Sequence, residues 1–549
     1  VQERFTRELN ALRALAREVG ERYPEVAHLV SGRAADASVE RILQAAALLY
    51  SRLSDRIEGD LPELIYPYVD SLWPEELRPR PAATLLSAAL EDGYAEQSMV
   101  LPAGTSVRAR TPGGEVPFVT SAPVELWPVV LEAVDMGRPE ASVVEVVLRF
   151  RALEGVRLGA LAMPRLRLHV LGAGRGILFD WLTHHRSRVE LRRLDHTPIA
   201  ARLRAQPVSG ADQRPVWPTG SSVHTPLSRL ETYFVLPEVY SAIDVLGLEA
   251  LASAGDGEGF ELAFRVAGVS GREVTPKLES FALGGVAAVN LGTSERVDVD
   301  VGDGRTELRV RAPEGAEVFR VERVGAYDRR SGEWQEFQPL IDVHGGRPKA
   351  GQVCFEVERR PGDVEPGDVY VRITDAEGRP QSPAADRVAV WVVGVDSVRA
   401  AAVREGMITL PGPDAPRQVR FEHPVPVRAG GPSPIVRRRL FPRLALLTGS
   451  QATLLTRDGL VRLLREAMVD AGDRPERLVR AVSVVRGSHV DHRRVRPSIE
   501  VVIDVDEQVL GAGELYLFAL VLRDALAAEG YTQLELRGTS GSVRVGTAG

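Results

Sequence analysis

Arg4-Phe5-Thr6-Arg7-Glu8-Leu9-Asn10-Ala11-Leu12-Arg13-Ala14-Leu15-Ala16-Arg17-Glu18-Val19 reads as one amphipathic helix. Phe5, Leu9, Leu12, Ala16 and Val19 recur every three or four residues, and Arg4, Arg7, Arg13 and Arg17 fill the face between them. A second seam follows at Val39, Ile42, Leu43, Ala46, Leu49, Leu53 and Ile57. Asp60 opens a short third element, with Glu63 three residues on as in a capping box. Leu72-Trp73-Pro74 and Arg78-Pro79-Arg80-Pro81 end it, because proline supplies no backbone donor and biases its predecessor away from helix. Helices this short cannot stand alone. They need the rest of the chain, or another subunit, to cover their seams.

Beyond residue 95 the period changes from helical to two. Met99-Val100-Leu101-Pro102-Ala103-Gly104-Thr105 leads into alternating Val107 and Arg108, and Gly113-Gly114 turns the chain back through Val116 to Thr120. Strands are expected at 143–149, 165–171, from 189, at 260–266 and at 286–291, with a helix starting near 177. Residues 295–430 are strand-rich with Gly/Pro turns, and the proline-dense stretch 411–434 reads as a linker. A compact α/β unit closes the chain: helices at 457–469 and 515–528, strands at 480–486, 498–505 and 532–536. The expected fold is a multidomain α+β chain. Its parts are an N-terminal helical bundle region (1–95), a mixed β-hairpin and α/β domain (96–294), a β-rich domain with its linker (295–435) and a C-terminal α/β domain (436–549) with a possible dimerisation role.

Composition sets limits on function. A chain of 549 residues exceeds one hydrophobic core and suggests about three to five domains. Its net charge of −7 argues against a general nucleic-acid binder. The single cysteine, Cys354, rules out an intrachain disulfide framework and a Cys-rich metal site. No apolar run matches a membrane span and Val1 opens no signal segment, so a soluble, cytoplasmic chain without membrane insertion is expected.

The N-terminal words, taken in order, resemble a known family. Arg7-Glu8-Leu9 with Leu12-Arg13, Tyr23-Pro24-Glu25-Val26-Ala27, Val39-Glu40-Arg41-Ile42-Leu43, Pro62-Glu63-Leu64 and the Arg78-Pro79-Arg80-Pro81 exit are similar to the opening of TssF, a baseplate subunit of the bacterial type VI secretion system. Tyr233-Phe234-Val235-Leu236-Pro237 and Val289-Asn290-Leu291 continue the resemblance, as does Gly511-Ala512-Gly513 before Leu515-Tyr516-Leu517-Phe518. The chain departs from the family where Gly292 replaces a phenylalanine and Gly530-Tyr531-Thr532 replaces an Asn-Ser-Phe phrase.

The resemblance implies a non-enzymatic scaffold. Two copies with one TssG would form a wedge resembling that of contractile phage tails. TssK, TssE and the VgrG spike would be further partners, and the baseplate would dock at the cytoplasmic face of the inner membrane. A related phage-like or extracellular contractile particle fits the same words. Phe5, Leu9, Leu12, Val39, Ile42 and Leu49 are the expected anchors of an intersubunit bundle. Leu515, Tyr516, Phe518 and Leu522 are expected to pack the C-terminal domain or its contact with a second copy.

Catalytic signals are weaker. Leu171-Gly172-Ala173-Gly174-Arg175-Gly176 imitates the glycine turn of a dinucleotide-binding oxidoreductase, with Glu190 near the distance of a ribose-binding carboxylate. Ile177 occupies the place of the third glycine, so an ordinary strand-to-helix turn is the expected reading. His184-His185 point about 100° apart on a helix, and His489 with His492 lacks a third ligand. Asp298, Asp300 and Asp303 lack the ligand order of a calcium loop. No catalytic, cofactor or metal residues are therefore expected.

Overall fold

The computed structural model describes residues 72–546 except 94–97, 185–186, 209, 211, 219–224, 256, 270–272, 303–304, 342–345, 347, 361–367, 434–442, 447–453, 469–470, 492–493, 527–532 and 540, together with Leu9, Gln44, Ala45, Leu48 and Val69. Those five early residues are helical, as is Leu72, and Leu9 and Val69 are buried. Of the expected N-terminal seam, Phe5, Leu12, Val39, Ile42 and Leu49 lie outside the described residues. A helical bundle is not evident among those that are described. The architecture is dominated by strands in several sheets.

Ala83–Leu90 is the first strand and lies within the region expected to be helical. Its residues are buried or half-buried, and a short apolar run covered on both faces carries no period to separate strand from helix. It sits inside a six-stranded antiparallel sheet. From edge to edge the order is Ile408–Pro411, Ser106–Thr111, Gly114–Thr120, Gly285–Val289, Ala83–Leu90 and Val419–Glu422. The hairpin expected after Gly113-Gly114 is present, with Ser106 opposite Val119 and Thr111 opposite Gly114. The linker reading of 411–434 is corrected. That stretch supplies an edge strand, Val419–Glu422, beside Ala83–Leu90, while Ile408–Pro411 closes the other edge. Proline is tolerated at edges because one side of an edge strand needs no ladder donors.

Two further sheets carry the middle of the chain. One has the order Pro198–Ile199, Ser187–Arg193, Gly259–Ala267, Val143–Ala152, Val129–Glu140. Burial alternates at every residue of Val143–Ala152, and Phe150 stacks on Phe260 across the pair at 4.9 Å between ring centroids. The other has Arg204–Pro207, Ala242–Leu246, Arg165–Val170 and Phe281–Leu283. Residues 295–395 form a separate two-sheet sandwich. Its first sheet is Glu295–Asp300, Arg387–Val395, Glu317–Tyr327 and Trp334–Glu336; its second is Glu307–Val310, Asp368–Thr374, Cys354–Arg360 and Gln338–Pro339. Val297, Val299, Val324, Val371, Ile373, Val388 and Val390 meet in its core. The module leaves the six-stranded sheet and returns to it at one point. Gly292 N–H donates to Gly394 O at 2.9 Å, and Asp396 N–H donates to Asn290 Oδ1 at 3.0 Å.

The C-terminal unit is a four-stranded sheet, Val479–Asp491, Arg494–Val505, Gln533–Arg537 and Ser542–Gly546. Arg494–Val505 and Gln533–Arg537 run parallel, so a crossover must join them. Two helices from the middle of the chain, α1 (Arg175–Thr183) and α2 (Pro226–Val235), lie against the helices that pack on this sheet, α3 (Arg457–Ala467) and α4 (Glu514–Ala525). Thr225 caps α2, its Oγ1 accepting from Ser228 N–H at 3.1 Å, with Pro226 at the first helical position. Helix α4 packs on α1 and α2, and α2 packs on α3. One hydrophobic core thus runs from Val144 and Phe260 through α1 and α2 into α4 and Leu534.

Candidate assembly surfaces

The glycine turn is the first place to look for chemistry. Arg165–Val170 does deliver the chain to α1 through Gly172 and Gly174, as a dinucleotide fold would require. The space over it is filled by the chain itself. A Cβ on Gly174 would lie 2.3 Å from Val274 Cγ2, and one on Gly176 would lie 2.8 Å from Gly513 O and 2.9 Å from Glu514 Oε1. Arg175 Nη2 donates to Glu514 Oε1 at 2.7 Å, and Tyr233 Oη donates to Glu514 Oε2 at 3.1 Å. Burial first, and then the Glu514 charge, hold the Tyr233 phenol well above its ordinary range. A carboxylate of α4 stands where a pyrophosphate would have to sit. The glycines therefore serve close packing of two helix starts, and the oxidoreductase reading loses its site.

The other singled-out residues are also accounted for. His184 hydrogen-bonds Asp180 at 2.9 Å and stacks on Tyr516 at 4.2 Å; His185 lies outside the described residues. His492 also lies outside them. Asp298 pairs with Arg296 at 2.8 Å and Asp300 with Arg387 at 2.7 Å, while Asp303 is not described. Among the described residues, no group of three or more His, Cys, Asp or Glu is placed to hold a metal. No described helix is long and apolar enough to cross a membrane.

Helix α4 carries four of the expected interface residues. Phe518 is 1% exposed and Leu522 fully buried, Tyr516 is buried, and Leu515 packs half-buried against the same core. Phe518 lies 5.5 Å from Tyr233 and 6.2 Å from Phe234, both on α2. Of the two roles expected for them, packing of the C-terminal unit is the one these contacts serve. The helix is covered on one side by its own sheet and on the other by α1 and α2.

A buried ionic cluster escaped the sequence reading. Arg443 Nη1 donates to Glu231 Oε1 at 2.7 Å, and its Nη2 to Glu76 Oε1 at 3.1 Å; its Nε also bonds Glu76. Arg80 bonds the same Glu231 oxygen. Burial pushes the Glu231 carboxyl up, but attraction from Arg443 and Arg80 outweighs it and the net shift is downward. Arg428 Nη2 donates to Glu238 Oε1 at 3.1 Å, and Arg175 approaches the same oxygen at 3.5 Å. The sequence signal was available: Glu231 interrupts the buried stripe Leu227, Leu230, Tyr233 of α2, and a carboxylate there needs a partner.

This cluster fixes the Arg-Pro-Arg-Pro exit. Arg80 N–H donates to Gly431 O at 2.7 Å and Gly431 N–H returns to Arg80 O at 2.9 Å. The Arg80 guanidinium lies 5.1 Å over Trp217, whose Nε1 donates to Pro81 O at 3.0 Å, and Arg78 lies 5.4 Å over Phe319. A cavity of about 180 Å³ lies among these residues. The chain entering the body from residue 72 is thus held by charge, stacking and backbone bonds at once.

This arrangement is a scaffold of clamped segments, and comparison with known proteins points the same way. The type VI secretion TssF family matches residues 1–541 of the 549. The chain belongs to the TssF family. The type VI secretion system component TssF1 of Pseudomonas aeruginosa is 25% identical over 391 residues, which span 65% of this chain and 62% of that relative. A chain of the type VI secretion TssK-TssF-TssG baseplate subcomplex, solved by cryo-electron microscopy, has the same fold, with a TM-score of 0.73 and 19% identity over 92% of this chain and 98% of its own. A chain of the type VI secretion baseplate complex matches with a TM-score of 0.58 and 18% identity over 99% of this chain.

Proposed function

We propose that the chain is a structural wedge subunit of a type VI secretion baseplate and has no catalytic role. The observation that carries this reading is the family match from residue 1 to residue 541, which takes in every strand described above except the last, Ser542–Gly546. The TssK-TssF-TssG subcomplex supplies the expected partners, TssG and TssK, and TssE and the VgrG spike belong to the same proposal. Two copies of the chain are expected to share one TssG, at a baseplate on the cytoplasmic side of the inner membrane.

The physical role is assembly. The N-terminal seams, with Phe5, Leu9, Leu12, Val39, Ile42 and Leu49 as anchors, would bind a partner while the clamped exit at Glu76 and Arg80 sets their direction. Co-expression with the TssG and TssK of the same host tests this. Native mass spectrometry is expected to give two copies of this chain per TssG. Leu12→Asp is expected to abolish the complex, since burying an unpaired carboxylate costs about several kcal/mol. Recovery of an unchanged complex from Leu12→Asp would remove the N-terminal assignment, and a chain that never co-purifies with TssG would remove the wedge itself.

A further inference from the structure

The sandwich of residues 295–395 turns one sheet face away from its core, and that face has an unusual surface. Its outward positions are Arg296 and Asp298 on the edge strand, Trp391 and Ala389 on the next, Gly325 and Tyr327 on the third, and Trp334 on the last. Trp334 lies directly over Gly325, where a Cβ would come within 2.4 Å of Trp334 Cζ2. The rings then form a chain, Tyr327 to Trp334 at 5.1 Å and 70°, and Trp334 to Trp391 at 5.6 Å and 89°.

The two ends of that chain differ. Trp391 is occupied, with Arg323 over it at 4.8 Å and Arg296 at 5.7 Å. Arg323 is further held by Glu336 at 3.0 Å. Tyr327 and Trp334 have no cation over them among the described residues, and Tyr327 is 59% exposed. Beside them lies an open groove of about 300 Å³ lined also by Arg296, Asp298, Asp386 and Arg387. Its charges are paired at the surface, Asp298 with Arg296 at 2.8 Å, Asp386 with Arg329 at 2.5 Å and Arg387 with Asp300 at 2.7 Å, and exposed pairs of this kind exchange at little cost.

The charge of the module decides what would enter. Residues 295–395 carry 20 acidic and 15 basic side chains, so they hold −5 of the chain's formal charge of −7. Such a field draws in cationic partners and disfavours anionic ones. Arginine is the cation that best uses an aromatic wall, because its planar guanidinium stacks on rings and still donates to a carboxylate. The fold already shows the pairing at Trp391, where arginines from two neighbouring strands stack on one indole. Tyrosine and tryptophan are also the residues that dominate binding energy when they anchor an interface.

We propose that this face docks a basic segment of a partner protein, with an arginine seated against Tyr327 and Trp334 and sharing or replacing Arg296 and Arg329 at the Asp298 and Asp386 carboxylates. The site uses none of the N-terminal seam residues and does not depend on the wedge assignment. It can be tested on the full chain alone.

The probe is a synthetic peptide of alternating arginine and glycine, with lysine–glycine and glutamate–glycine peptides as controls, titrated by calorimetry at low and high salt. Saturable binding of the arginine peptide is expected, tighter than the lysine peptide and weakened by salt. Tyr327→Ala and Trp334→Ala are each expected to weaken it at least about tenfold, the loss of one good anchoring contact. Asp386→Asn is expected to weaken it several-fold. Trp334 covers Gly325 and its loss can disturb folding, so the exposed Tyr327 carries the decision, with an unchanged melting temperature as its control. Equal binding by Tyr327→Ala and the parent chain would overturn the proposal. So would equal affinity for the glutamate peptide, or a self-association of the full chain that Tyr327→Ala abolishes, which would assign the face to a second copy.

Discussion

Arg443 and Glu231 meet at 2.7 Å in the interior of the protein, although 212 residues separate them. Each is under a tenth exposed at its side chain, and Glu76 and Arg80 complete the cluster. Two long-range segments, the entry at 72–81 and the chain around 443, are thereby tied to one helix, α2. A buried pair of this kind contributes little against a well-packed apolar replacement, yet removing one partner strands the other charge.

Arg443→Met is therefore expected to cost about 3–5 kcal/mol, because it leaves Glu76 and Glu231 buried with too little compensation. Adding Glu231→Leu and Glu76→Leu should recover part of that loss. Urea unfolding of the single and triple variants measures it, and a single variant as stable as the parent would show the cluster to be energetically idle. The pH window follows from the lowered Glu231 carboxyl. Its stabilisation is present above the ordinary carboxylate value near 4.5 and is lost as pH falls through the depressed value.

The buried histidines give a second, higher window. Burial, helped by the neighbouring Arg167 charge and opposed by Asp244, lowers His169 to about 3. Burial also lowers His423 to about 4, against smaller opposing contacts with the backbone near Val425 and Arg404. Both are neutral in the folded state while the unfolded chain takes up protons near 6.5. Stability is thus complete above pH 6.5 and falls below it, by about 1.4 kcal/mol per pH unit for each histidine until its folded pKa is reached. Urea midpoints at pH 7.5, 6 and 5 should show the slope, and His169→Gln with His423→Gln should flatten it. A slope unchanged in the double variant would place the titration elsewhere.

The glycine turn makes a steric prediction. Gly176→Val puts side-chain atoms where Gly513 O and Glu514 Oε1 already lie within 3 Å of the Cβ position. Overpacking of this kind costs about 1–3 kcal/mol, and here it would push α4 away from α1. A lowered melting temperature is expected, with no rescue by added NAD. Rescue by a dinucleotide would restore the reading that the packing argues against.

What the sequence disclosed was local period. Val143–Ala152 and the Ser106–Thr120 hairpin were legible because alternation and a Gly-Gly turn specify them without reference to distant residues. Ala83–Leu90 was not, since a strand buried on both faces has no alternation to read. The edge strand Val419–Glu422 was hidden by the prolines that flank it, Pro411, Pro413, Pro416, Pro424 and Pro426, which border edge strands as readily as they mark linkers. The burial of α4 was legible from its apolar spacing, but its partner was not. Nothing in residues 515–522 distinguishes a second copy from helix α2, some 290 residues earlier. The ionic cluster shows the same limit, because a buried Glu231 announces the need for a cation without naming Arg443.

Helix α4 supplies the last prediction, and it separates burial within the chain from burial between chains. Phe518 packs on Tyr233 and Phe234 of α2, inside a core that includes Phe179, Leu464 and Leu534. Truncating such a side chain removes its transfer free energy and leaves a cavity, so Phe518→Ala is expected to cost about 3–5 kcal/mol. Because the partners of that ring among the described residues are on the same chain, the loss should be independent of protein concentration. Unfolding of the parent and of Phe518→Ala, each followed over a hundredfold range of concentration, checks this. Midpoints that rise with concentration in the parent, and cease to rise in the variant, would return the α4 face to a contact between copies. Midpoints that stay fixed in both, with the variant lower, are what the packing against α2 requires.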